Sequence, residues 1–559
     1  MSESHSIRPS RCPIRTLLSF PAVVVFGCLA SCVSMDTSSV EDRIDAGVLR
    51  SRPRRMATQP TTLAASSQPA SSQAATASSP VGPSDLIITV EDAICLSLEN
   101  NRSLAVERLN PSIQRTAEQQ QLAAFDPVLS GGITHDRSRL TLPPTTQVSE
   151  GMDAEAGIRT YLPTGTTLDL RGTTAMSEGA VHDPDSWTSR AELTTTQALL
   201  RGAGLGVNLA SVRQARLDTI ISQYELRGFA QDLVAQVEQT YWDCVLAQRQ
   251  IEIVTSSLAV AQQQYEETSE RIKLEKLAEV ELAAAEAEVA LRREELINAN
   301  SALETTRLKL WRLVNPRTAY PETPQVQLTT LAVVPESPLE DVALHVELAM
   351  RMRPDLNQAR LQIQKNDIEL VRTRNGLLPK LDVFITLGGT GYSTSFGKST
   401  HHLGDRNYDV LIGLSGEYPL LNRDARAQHQ RAKVSREQSG LALDNLVQLA
   451  EVDVRGAYIE LKRAQEQVRA TAATRRLQET KLTAETEKFR VGKSTSLLVA
   501  ATQRDLLSSQ LSEVEAVVTH LKALVELRRL EGSLLDYRGI TCPGSKPIMV
   551  DGSSPVGTP

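Results

Sequence analysis

The stretch that decides the fold runs from Val237 to Ile272, VEQTYWDCVLAQRQIEIVTSSLAVAQQQYEETSERI, in which Val237, Cys244, Ile251, Leu258, Tyr265 and Ile272 recur every seven residues. A seven-residue apolar repeat keeps one stripe in line along a slightly under-wound helix, which is the seam of a coiled coil. After a short break the interval returns with Leu282, Val289, Leu296, Leu303 and Leu310. The segment is therefore one long helical hairpin. Extended back to Asn208, its first helix would run roughly 100 Å at about 1.5 Å per residue, against about 30 Å for a small domain.

Moving outward, the chain matches itself. At an offset of 217, Tyr241 pairs with Tyr458, Ala247-Gln248 with Ala464-Gln465, and Ile272 with Phe489. The second copy carries its own seam through Val454, Leu461, Val468, Leu482 and Phe489, returning through Leu507, Leu511, Val514, Val518, Leu521 and Val525. Nearer each copy's start the offset is 252, matching Leu104 with Leu356, Pro127 with Pro379 and Leu129 with Leu381. The change of offset places a 35-residue surplus in the first copy, between Leu129 and Tyr241.

Each copy opens on an acidic helix start, Val90-Glu91-Asp92-Ala93 and Leu339-Glu340-Asp341-Val342, and its first helix ends before a proline. Beyond the proline the period changes to two, the mark of a strand with unlike faces. Leu381, Val383, Ile385 and Leu387 alternate in this way, as do Val410, Ile412 and Leu414. The first copy has weaker equivalents from Val128, around Leu168 and Leu170 after the turn Pro163-Thr164-Gly165, and at Ala191 and Leu193. Its surplus reads as an extra hairpin. About four strands per chain cannot close a barrel, and an open sheet edge is prohibitive in lipid, so closure would come from neighbouring subunits. Tyr161, Trp187, Tyr392, Phe396, Tyr408 and Tyr418 fall near strand ends, where membrane-interface aromatics belong. An ordinary soluble sheet is the other reading of these strands.

The N-terminus reads as an export signal, with Arg8, Arg11 and Arg15 before an apolar run from Leu17 to Ala30. Leu29-Ala30-Ser31-Cys32 resembles the bacterial lipobox, making Cys32 the acylated first residue after cleavage; an ordinary signal ending in an incidental cysteine is the alternative. Residues 32–85, rich in Ser, Ala and Pro, read as a disordered tether. The expected organisation is a signal peptide over 1–31, repeats over 86–316 and 339–537, a Pro-rich connection over 317–338 and a disordered tail over 538–559. Aromatic residues make up 4% and charged residues 23%, a balance suited to long helices. A net charge of −7, with no run of basic residues interleaved with aromatics, gives no basic surface for nucleic acid. Cys95, Cys244 and Cys542 stand apart as isolated thiols.

From Leu86 to Tyr537 the chain resembles the TolC-like outer membrane factors. The resemblance rests on the acidic helix opening, Ala124-Phe125-Asp126-Pro127, Thr196-Gln197-Ala198-Leu199-Leu200-Arg201-Gly202 with Asn208, Tyr241-Trp242, Tyr418-Pro419-Leu420-Leu421 and Phe489-Arg490-Val491-Gly492. It departs at Ala198, where the family commonly has the proline seen here as Pro419. The resemblance implies a mainly α chain with a membrane β-barrel part, a homotrimer with a joint twelve-stranded barrel, and a coiled-coil tunnel across the periplasm. It also implies service to an inner-membrane pump through a periplasmic adaptor. The lipid anchor, carrying palmitate in such lipoproteins, and the barrel would both hold the chain in the outer membrane.

On this resemblance Val491, Gly492, Lys493, Ser494 and Thr495 form the tip that meets the adaptor, with Leu274, Lys276 and Leu277 as the weaker counterpart, where Glu275 replaces the glycine. A tight turn without a partner is the plainer reading. Of the acidic group Glu279, Glu281, Glu286 and Glu288, Glu279 and Glu281 are the candidates for side chains facing the pore near its closed end, Glu281 first, with a solvated helix face as the other reading for most of the four. No catalytic constellation, cofactor motif or metal site is expected. Gly492-Lys493-Ser494-Thr495 lacks the upstream glycine of a phosphate loop, Glu487 standing there, and Gly202-Ala203-Gly204-Leu205-Gly206 lacks the strand-helix-strand setting of a dinucleotide turn. Two other readings stay open at this point: a periplasmic adaptor, and a structural coiled-coil lipoprotein.

Overall fold

The computed structural model describes residues 86–142, 145–177, 186–273, 280–315, 326–330, 332–334, 339–404 and 407–548. The expected signal peptide, Cys32 and the tether lie outside the described residues, as do Leu274, Lys276, Leu277 and Glu279 and most of the connection over 317–338.

The first repeat begins with β1 (Leu86–Ile88) and α1 (Val90–Asn100), followed by α2 (Arg102–Glu107) and α3 (Asn110–Leu122). Thr89 and Asp92 make a reciprocal capping box: the Thr89 hydroxyl accepts from the Asp92 amide at 3.1 Å, and the Asp92 carboxylate accepts from the Thr89 amide at 3.2 Å. Four strands follow, β2 (Val128–Leu142), β3 (Thr145–Leu162), β4 (Thr166–Ser177) and β5 (Ser186–Ala198). The short α4 (Leu205–Asn208) leads into the long pair α5 (Ala210–Lys273) and α6 (Val280–Val314). At about 1.5 Å per residue, the 64 residues of α5 extend roughly 96 Å.

The connection contributes β6 (Val326–Leu328), which pairs in parallel with β1. The second repeat consists of α7 (Val342–Met352), α8 (Pro354–Gly376), β7 (Lys380–Ser393), a short α9 (Phe396–His401), β8 (Tyr408–Glu417), α10 (Arg423–Arg490) and α11 (Ser496–Glu531). A last turn, α12, spans Leu534–Tyr537.

All strands other than β1 and β6 form one antiparallel sheet in the order β2-β3-β4-β5-β7-β8. Leu129 and Leu381, matched by the duplication, lie in β2 and β7, so β5 and β8 are the other equivalent pair. The surplus is the hairpin β3–β4, hydrogen-bonded into the sheet between β2 and β5. Four strands per chain make a twelve-stranded trimer; among the described residues this chain brings six to one sheet.

The seams form as the spacing predicts. Val237, Cys244, Leu310 and Val314 are buried where α5 meets α6, and Val454 and Leu461 pack with Ala349, Ala523 and Leu527 in the second repeat. Ile251, Leu258, Tyr265 and Ile272, farther toward the hairpin's end, are only half-buried.

The stretch after Tyr537 corrects the expected disordered tail as far as Ile548. Ile540 and Cys542 are buried, the Tyr224 hydroxyl donates to the Lys546 carbonyl, and the Ile548 amide donates to Asn357 Oδ1 at 3.1 Å. Its few apolar residues find a ready-made surface on α5 and α8, so it need not bury them on its own. Arg538 also donates to the wholly buried Glu238 of α5, from Nε at 2.7 Å.

Candidate functional site

Strand pairing gives the sheet two chemically unlike faces. Leu129, Ile158, Leu170, Leu193, Leu387 and Val410 sit level with one another across all six strands. Side chains alternate along a strand, so residues two positions away share their face. Leu168, Ile385 and Ile412 lie there on the next row, and Val383 and Leu414 beyond them. Most of these side chains are exposed in the single chain, Leu129 at 76% and Ile412 at 68%. Exposed apolar rows of this extent need an apolar solvent or a partner. Among the described residues no helix is long and apolar enough to cross a membrane.

The opposite face carries charge. Arg159 sits directly across from Asp169 and donates to it at 2.6 and 2.8 Å. Arg190 reaches along its own strand to Glu192 at 3.0 Å and across β7 to Asp409 at 2.8 Å, and Arg171 faces Glu155 at 3.7 Å. The hairpin β3–β4 follows the same division as its neighbours, with Ile158 and Leu170 on one side and Arg159, Asp169 and Arg171 on the other. This charged ladder escapes a reading that follows apolar residues alone. The signal that finds it is the complementary parity, Asp153, Glu155, Arg159, Asp169 and Arg171 at odd positions of β3 and β4 and Arg190 and Glu192 at even positions of β5.

Small residues Gly131, Ala156, Gly172, Ala191 and Gly389 make the next row of the apolar face toward α9. There α9 rests against the sheet: Ser399 Oγ meets Ser189 Oγ at 2.7 Å, and the Ser399 carbonyl sits where a Cβ at Gly391 would be. Trp187 meets Phe396 edge-on at 5.7 Å, and Tyr408, at this level, is 79% exposed. Tyr392 stands on the charged face instead. At the other end of the sheet Tyr161 stacks on Phe125 and donates to Asn208 Oδ1 at 2.9 Å, so it serves the strand-to-helix joint. Asn208 closes that joint by donating to the carbonyls of Pro163 at 3.0 Å and Gly202 at 2.9 Å. Asn375 accepts from the Gly202 amide at 2.8 Å.

At the far end of α10 and α11 the chain reverses at Gly492, whose φ of +74° favours glycine, and no atom lies near its missing Cβ. Val491 is 67% exposed. Ser494 donates to Glu485 Oε1 at 2.5 Å and Lys488 pairs with the same carboxylate at 3.0 Å; together they hold the Glu485 carboxyl below the usual range. Thr495 caps α11 through the Leu498 amide at 3.3 Å.

The acidic candidates separate. Glu281 is half-buried in the first turn of α6, and its Oε2 has no hydrogen-bond partner among the described residues. Glu288 is bound to Arg292 at 2.5 Å and faces Arg504 of α11 at 3.7 Å, linking the two hairpins; Glu286 is exposed. Burial pushes the Cys244 and Cys542 thiols up to about 11, which keeps them protonated and unreactive. Among the described residues no three His, Cys, Asp or Glu side chains come together as a metal site.

Residues 346–533 match the model of the family described as outer membrane efflux protein. No curated protein matches by sequence. Solved structures share the fold. The channel protein CusC is 16% identical with a TM-score of 0.60, over 79% of this chain and 92% of that one. The CmeC outer membrane channel of Campylobacter jejuni is 14% identical with a TM-score of 0.57, over 82% and 87%. The open state of the MtrE outer membrane channel of Neisseria gonorrhoeae is 18% identical with a TM-score of 0.57, over 80% and 89%. The fold is that of the TolC-like outer membrane channels, barrel strands joined to a helical tunnel.

Proposed function

We propose that the chain belongs with the outer membrane efflux proteins, whose family model matches residues 346–533, and that it is one subunit of a homotrimeric export channel in the outer membrane. Its sheet joins a barrel, apolar face to lipid and charged ladder to water, and its long helices build the tunnel through the periplasm. It is a passive conduit, loaded by an inner-membrane pump through a periplasmic adaptor. The observation that carries this reading is the two-faced sheet. A soluble coiled-coil spacer has no use for an exposed apolar row across every strand, and an adaptor would have one helical hairpin where this chain has two. Extraction of the outer membrane followed by unheated electrophoresis should give a heat-sensitive trimer that conducts ions in planar bilayers. A monomer without conductance would overturn the reading.

The tip at Val491, Gly492, Lys493, Ser494 and Thr495 is the proposed adaptor contact, with Leu274, Lys276 and Leu277 as its weaker counterpart. Its support is exposure, an open φ-positive glycine and a cap that presents the turn in one conformation. The variants Lys493→Glu and Gly492→Val should abolish export at an unchanged protein level; normal export in both would refute the assignment. Glu281, with an unpartnered carboxylate oxygen, is the better of the two pore-facing candidates, and Glu279 is carried beside it. Cys32 remains the proposed acylation site, to be tested by mass spectrometry of the mature N-terminus.

A further inference from the structure

We propose that three copies of this chain close an eighteen-stranded barrel, with the hairpin β3–β4 acting as a built-in widening element. The proposal rests on the trimeric channel reading and adds the size of its opening. Three observations support it. The hairpin is laddered on both sides, β3 to β2 from Val128 to Leu142 and β4 to β5 from Thr166 to Ser177. Leaving it outside a barrel would mean breaking both ladders along their whole length and pairing β2 directly with β5, a pairing the sheet does not make.

From Glu155 to Arg171 its side chains also keep the facing of the sheet, and only farther along β3 does an ion pair, Arg137–Glu150, stand on the apolar side. Ile158 and Leu170 continue the apolar row from Leu129 to Leu193, and the Arg159–Asp169 pair continues the charged face. A hairpin folded away as an external lobe would have no reason to keep one face apolar in step with its neighbours. Finally, two added strands preserve parity. The directions of β5, β7 and β8 are unchanged, so the free edges β2 and β8 stay antiparallel to the edges of adjoining copies.

With strands about 4.8 Å apart and tilted about 40°, twelve strands give a backbone diameter of roughly 24 Å and eighteen roughly 36 Å. The narrowest passage then lies in the helical part, and the barrel is a wide charged vestibule that imposes no size limit of its own.

Cysteine pairs in the full chain, expressed in outer membranes, test where the hairpin sits. Leu129→Cys with Ile158→Cys, and Leu170→Cys with Leu193→Cys, should oxidise to disulfides within one chain. Leu129→Cys with Leu193→Cys should not, because three strand spacings separate them by roughly 14 Å, beyond disulfide reach. Formation of the 129–193 bond in place of the other two would overturn the proposal. Electron microscopy of the wild-type particle supplies a measurement independent of any variant. A trimer with a barrel of about 36 Å supports the inference, and a trimer of about 24 Å refutes it while leaving the channel reading intact. A dimer closing twelve strands would refute both.

Discussion

Glu238 is wholly enclosed in α5, and its only charged partner among the described residues is Arg538 on the segment after α12. A buried carboxylate that loses its partner keeps its desolvation cost without compensation. Arg538→Ala is therefore expected to destabilise the folded chain by about 3–5 kcal/mol, read as a lowered unfolding midpoint in detergent. An unchanged midpoint would mean the segment is ornamental. At the tip the relevant variable is pH. Glu485 titrates below its ordinary value because the Ser494 hydroxyl and then Lys488 favour its ionised form. Its folded value is depressed, so the contribution is present above the ordinary carboxylate range and is lost as pH falls through the lowered value. A spin label at Lys493→Cys should become more mobile across that acid window. Ser494→Ala should make the label mobile at neutral pH as well.

The long helices carry a second stripe that the seam does not use. Val434, Leu441, Val452 and Ile459 of α10 are spaced by seven, eleven and seven residues, whole numbers of helical turns, and each is more than half exposed. Ile297 and Leu308 of α6 repeat the eleven-residue spacing. Such stripes are what a neighbouring copy would cover in a closed tunnel. Leu441→Lys with Ile459→Lys should leave the chain folded, since neither side chain is in its core, yet reduce the unheated trimer band at least tenfold. A normal trimer would place the subunit interface elsewhere. This stripe is hard to read in the sequence because α10 spends its regular heptads on the partner α11, and a helix apolar on two sides blurs the contrast that periodicity depends on. The seams themselves are plain, Val237 to Leu310 in one copy and Val454 to Val525 in the other, because a seven-residue interval repeats over many turns with one interruption at Arg475.

For the molecule as a whole, duplication made the architecture legible and also exposed its exception. Matched prolines and tyrosines located the surplus, but its place in the sheet could not be read, because β3 alternates Ile158 and Ala156 with Arg159 and Glu155 too quietly to stand out. Pairing with β2 and β4 supplies what alternation lacks. The tail was misread for a related reason: composition reports whether a segment can fold by itself, and residues 538–548 lean on α5 and α8. Parity yields a prediction at this scale. Deleting Thr145–Ser177 removes two strands and leaves Leu129 level with Leu193, so heat-modifiable oligomers should still appear in the outer membrane. Deleting Thr166–Ser177 alone removes one strand, reverses those that follow, and should give none.

The junction of β5 with β7 has no connecting turn, for roughly 180 residues of helix and link separate Ala198 from Lys380. A hairpin inherits its alignment from its loop; this pairing must find its alignment by content. A slip of one residue would turn Arg190 and Glu192 toward the hydrocarbon and Leu193 toward water. In the proposed barrel the bilayer would thus act as a check on the meeting of the two repeats, disfavouring a misaligned chain at insertion.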